Sequence, residues 1–101
     1  MKIITDLEIK ALNISPRECV EWVHESFCMK YEAQLPAKIS LHPQGTDFIN
    51  TMPCLLPECY NRFGVKVVSR IAGNKPSLHS DLLLYNSKSS ELLCLMEANW
   101  I

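Results

Sequence analysis

Lys66 is the residue from which chemistry reads most directly. It stands in Gly64-Val65-Lys66-Val67-Val68-Ser69-Arg70, a run that alternates as a strand does. Val65 and Val67 share one face, while Lys66, Val68 and Arg70 share the other. A lysine is seldom buried without a partner. Either that face meets water, or Lys66 reaches an anion. Residues 36–75 hold five bases (Lys38, Arg62, Lys66, Arg70, Lys75) against two acids (Asp47, Glu58), whereas residues 1–35 hold four bases against six acids. So mild a focus suits a small anion better than a polyanion, although an uneven solvated surface gives the same count.

Other reactive residue types offer less. Five cysteines form no CxxC pair, and with no secretion signal they read as reduced thiols of a cytoplasmic protein. Cys28 and Cys94 sit in apolar surroundings and read as small core residues. Cys54 and Cys59 have no nearby histidine to complete a ligand set, so no metal site is expected there. His24 rides near the edge of a helical pattern, where a structural or surface role is the simpler reading. There is no GxGxxG, no P-loop and no GxSxG. Glycines occur only at 45, 64 and 73, too few for a loop that cradles phosphate.

The length of 101 residues fits one domain and not two. Apolar residues make up 48% and charged residues 21%, with a formal net charge of −1. That balance gives no reason to expect nucleic acid or an anionic membrane surface. No run approaches the ~20 apolar residues of a membrane span. The opening MKIITDLEIK breaks into charges too early for a signal peptide.

The elements that must position Lys66 follow from local patterns. MKIIT reads as a short strand. Thr5-Asp6-Leu7-Glu8 has capping-box spacing and opens a short helix over 6–12. Ser15-Pro16-Arg17-Glu18 repeats the signature with proline at the first helical position. The helix it opens carries Val20, Val23, Phe27 and Tyr31 at helical spacing, which predicts an amphipathic helix packed on a core. KISLH alternates, Pro43-Gln44-Gly45 turns, and TDFINTM returns antiparallel. Met52-Pro53 through Pro57 is expected to stop the pairing. GVKVVSRI is the next strand, residues 72–76 a loop, and LLLY (82–85) with LLCLM (92–96) a hairpin.

That hairpin is apolar on both faces, so both faces of the sheet are expected to be covered. The helix over 16–31 can cover one. A second subunit or a second domain must cover the other. The chain closes on Asn99-Trp100-Ile101, apolar directly after a core strand, which reads as a cut at a domain boundary. The fold class is therefore α+β: a mixed or antiparallel sheet packed by N-terminal helices, in a single domain over 1–101.

Several features stand in a fixed order: Pro36-Ala37-Lys38, Met52-Pro53, GVKVVS at 64–69, Gly73-Asn74, Pro76, the apolar hairpin and LMEANWI at the close. Together they resemble the N-terminal half of the ornithine cyclodeaminase and mu-crystallin family. The resemblance covers nearly the whole chain. It implies a substrate-binding and dimerisation domain whose sheet joins a homodimer partner's, while a separate Rossmann domain, absent from this chain, holds NAD or NADP. In cyclodeaminases the bound dinucleotide takes a hydride from Cα of ornithine and later returns it; relatives reduce cyclic ketimines or oxidise alanine.

The resemblance also places residues. Lys66 matches the family's lysine that pairs with the substrate carboxylate, and a cation on a rigid strand suits that task because its field is set beforehand. Lys38 falls where the family usually has arginine, and lysine cannot reproduce arginine's two-pronged grip. Met52 and Pro53 match a Met-Pro that shapes the pocket wall. His79 and Asp81 lie just before the penultimate strand, near where relatives line the pocket. Ser89-Ser90 replaces the usual Thr-Gly of the last hairpin. The family's next motif, T-x-x-R-T, and its catalytic aspartate are absent, so this chain alone is not expected to transfer a hydride. The rival reading is a stand-alone, non-catalytic domain that dimerises and binds a small acid or a protein.

Overall fold

The computed structural model describes residues 1–99; what was expected of Trp100 and Ile101 lies outside them. Ten short elements follow one another: β1 (Lys2–Ile4), α1 (Asp6–Ala11), α2 (Pro16–Met29), a 3-10 turn (Lys30–Glu32), β2 (Ile39–Leu41), β3 (Phe48–Leu55), a second 3-10 turn (Glu58–Tyr60), β4 (Arg62–Arg70), β5 (Leu78–Asn86) and β6 (Leu92–Glu97). The strands form one six-stranded sheet in the order β1-β6-β5-β4-β3-β2. β1 runs parallel to β6, and every other pair is antiparallel. The α+β class is as expected.

Both helices begin where their sequences say. Thr5 and Glu8 satisfy each other's backbone N–H groups at the start of α1, with Thr5 N donating to Glu8 Oε2 at 2.8 Å. Ser15 and Glu18 do the same for α2, with Pro16 at the first position and Ser15 N donating to Glu18 Oε2 at 3.0 Å. Caps of this kind contribute roughly 1 kcal/mol each. The β5–β6 turn is held by Asn86, whose Oδ1 accepts from the N–H groups of Lys88 and Ser89. Ser90 stands there at φ 62°, a left-handed conformation that costs a non-glycine residue about 1 kcal/mol.

The structure departs from the sequence reading in four places. Pro53 does not stop β3, which pairs with β4 through Leu55. The reason is local: β2 starts at Ile39 opposite Thr51, so beyond Thr51 the outer side of β3 is open. Leu55 N donates to Gln34 O on that side, and Pro53, two residues earlier, aims its missing N–H the same way, where no ladder bond is lost. His79 and Asp81 lie inside β5 rather than before it.

The largest departure is α2. None of its residues is buried; Val20 is 68% exposed, and Tyr31 beyond its end is 88% exposed. Apolar spacing marks the face that needs cover without saying which surface supplies it, and here the sheet does not. The helices therefore do not pack the sheet as expected. A side-chain bond from Tyr60 Oη to Glu25 Oε1 at 3.4 Å links α2 to the turn before β4. Cys28, read as a core residue, is exposed, while Cys94 is buried as expected. Cys94 (7% exposed) and Ala98 (2%) are the buried apolar residues among those described, with Pro57 beside them in burial class. Both faces of the sheet are left partly open.

Candidate functional site

Register decides which side chains share a face, because residues directly opposite on paired strands point the same way. Lys66 on β4 stands opposite Met52 on β3 and Leu82 on β5. Leu82 stands opposite Met96, and Met96 opposite Ile4. Lys38 directly precedes Ile39, whose partner is Thr51, and lies just outside the paired part of β2. Two of the sequence-derived site residues, Met52 and Lys66, thus stand in one row, and Lys38 lies at the start of the neighbouring edge strand β2.

Among the described residues, neither Lys66 nor Lys38 has a hydrogen-bond or ion-pair partner. Other bases nearby are engaged: Arg62 Nη1 donates to Asn61 O at 2.9 Å, and Arg70 Nη1 to Thr46 Oγ1 at 3.3 Å. Lys66 is half-buried in the third strand from the sheet edge, so its stem is fixed by strands on both sides. Such an ammonium offers three donors and a full charge to whatever anion approaches.

The sequence reading missed Asn50. It stands opposite Ser40 and Val68, one pleat from the Met52–Lys66 row and on the same face. Ser40 Oγ donates to Asn50 Oδ1 at 2.6 Å. That bond occupies the amide oxygen and leaves the amide N–H groups as donors on the face that carries Lys66. Alternation along TDFINTM was visible, but the cross-strand partner of Asn50 depends on where the β2–β3 turn sets the register.

His79, Asp81 and Pro53 are not brought to this row. Pro53 pairs with Val65, Asp81 with Val67, and His79 with Ser69, so all three alternate onto the opposite face. His79 Nε2 and Asp81 Oδ2 approach to 3.4 Å, and each is well exposed. Asp81 also stands opposite Glu97, whose Oε2 accepts from Asp6 N at 2.7 Å. Glu97 thus ties β6 to the start of α1, while His79 and Asp81 pair with each other away from Lys66.

The opposite face also carries Ile39, Leu41, Ile49, Val65, Val67, Leu83 and Leu95 by register, with Thr51 and Ser69 among them. Phe63 and Tyr85 stack across β4 and β5 with ring centroids 4.6 Å apart. A cavity of ≈ 380 Å³ lies at this end of the sheet, bounded by Gln34 and Pro36 and by Pro53, Leu55 and Phe63. Neither Lys66 nor Lys38 lines it. Cys54, also at this cavity, has its thiol pushed up by burial and stays neutral at physiological pH, which argues against nucleophilic use. Loss of solvent and then the Glu25 carboxylate raise the Tyr60 phenol, so it remains a donor to Glu25. Among the described residues no group of three or more His, Cys, Asp or Glu is placed to hold a metal, and no helix is long and apolar enough to cross a membrane.

No protein-family model and no curated protein matches the chain. Solved structures do match it. Delta(1)-pyrroline-2-carboxylate reductase of Thermococcus litoralis, solved with NADH and L-proline, is 28% identical with a TM-score of 0.87, over 99% of this chain and 32% of that one. An archaeal alanine dehydrogenase dimer with bound NAD is 26% identical with a TM-score of 0.86, over 99% and 32%. A probable ornithine cyclodeaminase of Bordetella pertussis Tohama I, 20% identical with a TM-score of 0.76 over 98% and 30%, shares the fold. The resemblance to the ornithine cyclodeaminase and mu-crystallin family is borne out, and the chain spans about a third of the length of the structures it matches.

Proposed function

We propose that this chain is the substrate-binding and dimerisation part of an NAD(P)-dependent enzyme acting on an amino acid or a cyclic imino acid. One observation carries the reading. Among the described residues Lys66 is a half-buried cation without a partner, opposite Met52, on a fold matched at nearly full coverage by enzymes of amino-acid and imino-acid chemistry. The substrate carboxylate meets the Lys66 ammonium. Lys38 adds a second charge from the sheet edge, and the Asn50 amide supplies a neutral donor at its side. Their field is set before the substrate arrives, so little reorganisation is needed. Bound nicotinamide dinucleotide would supply the hydride acceptor or donor. Residues 1–101 contain no GxGxxG, so we assign its binding to a part of such a protein outside them.

The apolar opposite face is the surface on which a second copy would dock. Ile39, 64% exposed at the edge strand, is the kind of residue that such docking removes from water. The same open surface is what favours the second reading, a non-catalytic dimerising module.

The test is Lys66→Ala in the complete natural protein. Losing a charge-assisted carboxylate contact should lower kcat/KM for amino-acid or imino-acid substrates by the equivalent of about 1.5–3 kcal/mol. An unchanged kcat/KM would remove Lys66 from the site. Sedimentation of the chain should give a dimer; a folded monomer would remove the docking face from the proposal.

A further inference from the structure

The strands sort their charges by face. By register Lys2, Arg62, Lys66 and Arg70 share one face of the sheet. Asp81 and Glu97, opposite each other on β5 and β6, share the other. Among the described residues these are the Asp, Glu, Lys and Arg side chains that the strands carry. Arg62 and Arg70 donate to neutral oxygens, Asn61 O and Thr46 Oγ1. Each stands roughly 13 Å from Lys66 along β4 at ~3.3 Å per residue, more than a Debye length at physiological salt. The field at the Lys66 row is therefore chiefly that of Lys66 itself.

The positions that surround Lys66 on its face are uncharged. Met52 and Leu82 stand opposite it, Gly64 and Val68 flank it along β4, and Asn50 and Ser80 lie one pleat away. Met52 and Leu82 are half-buried, so they form a fixed apolar floor on both sides of the cation. Asn50 could offer an acceptor, but Ser40 Oγ already donates to its Oδ1 at 2.6 Å. What remains of that amide is a pair of donors.

A ligand whose carboxylate meets Lys66 must therefore lay the rest of itself over hydrocarbon, or beside groups of positive polarity. A second ammonium finds no carboxylate among these neighbours. At ~7 Å from Lys66, in an effective dielectric of ~20, repulsion alone disfavours it about 50-fold. A short aliphatic chain or a saturated ring meets no such penalty and covers Met52 and Leu82.

We propose that the Lys66 face selects acids whose remainder is uncharged hydrocarbon and rejects diamino acids, with Asn50 as the residue that sets the choice. The inference rests on the carboxylate reading of Lys66 given above.

The test is a matched pair of probes on the complete natural protein. L-norvaline and L-ornithine share one carbon chain and differ in the terminal ammonium. Calorimetry with NADH present measures binding alone, because the reduced dinucleotide cannot accept a hydride from either. Norvaline should bind at least ~10-fold more tightly than ornithine. Asn50→Asp still accepts from Ser40 and places a carboxylate one pleat from Lys66; it should shift the ratio at least ~10-fold towards ornithine. Circular dichroism unchanged from the parent protein excludes misfolding as the cause of that shift. Lys66→Ala should weaken both probes. Equal or tighter binding of ornithine by the parent protein, or binding of neither probe, would overturn the substrate class. A ratio unmoved by Asn50→Asp would overturn the part given to Asn50. If Lys66→Ala weakens neither probe, the carboxylate reading itself fails; if it weakens both while the parent protein prefers ornithine, only the present inference does.

Discussion

The sheet and α2 have similar shares of apolar residues and opposite fates. In β3, β4 and β5, Val65, Val67 and Leu83 stand against cross-strand neighbours on both sides. In α2, Val20, Val23 and Phe27 stand in solvent. The sheet is held by its own ladders and pairings; the helix is held by its cap and backbone. The contrast teaches that apolar periodicity records a need for cover without saying what supplies it: in the sheet, cross-strand neighbours supply part of it, while among the described residues α2 is left exposed.

That contrast can be broken in graded steps. The largest effect belongs to Gly64. An added Cβ there would lie 3.2 Å from Leu83 O, a backbone atom that cannot swing away. Gly64→Val should therefore lower unfolding stability by about 1–3 kcal/mol, the usual cost of forcing bulk into packed structure, as read by urea titration. An unchanged midpoint would mean that β4 and β5 separate more easily than their pairing implies. Next is the helix cap. Ser15→Ala should cost α2 about 1 kcal/mol and reduce helical circular dichroism, yet leave the main transition of the sheet in place. If both move together, α2 and the sheet unfold as one unit.

Smaller again is Phe27→Ser, expected to shift the urea midpoint by no more than about 0.5 kcal/mol because the ring is exposed in the folded chain. A larger loss would show that a partner already covers α2 in solution. The smallest effect is alkaline. Burial raises the Cys54 thiol above its ordinary value, so between the unfolded and folded pKa the unfolded chain binds fewer protons. Its contribution is complete below the unfolded pKa and falls as pH climbs through the folded one. Cys54→Ala should flatten the loss of stability above pH ~9; an identical slope would assign that loss elsewhere.

Local signals were legible from sequence and long-range ones were not. Both capping boxes are complete within four residues, so Thr5–Glu8 and Ser15–Glu18 could be read directly. The strand around Lys66 announced itself by alternation. Asn50 could not be placed beside Lys66 without the register, which is set by the turn at 43–47 rather than by the strand residues. His79 and Asp81 sit close to Lys66 in the sheet yet face the other way, because parity along β5 depends on its pairing with β4. Pro53 misled for a related reason: its effect on a strand depends on whether a neighbour occupies its N–H side, and β2 had already ended.

β1 has a consequence of its own. It is three residues long, with Lys2 at its start, and it lies in parallel along β6. Without it, Cys94, Leu95 and Met96 would form an open strand edge with unpaired backbone donors and acceptors. Such edges recruit other chains into indiscriminate growth. A short, charged strand in that position works as a guard rail. An expression tag that pulls residues 2–4 out of the sheet should turn a well-behaved protein into one that precipitates, with its fold otherwise intact.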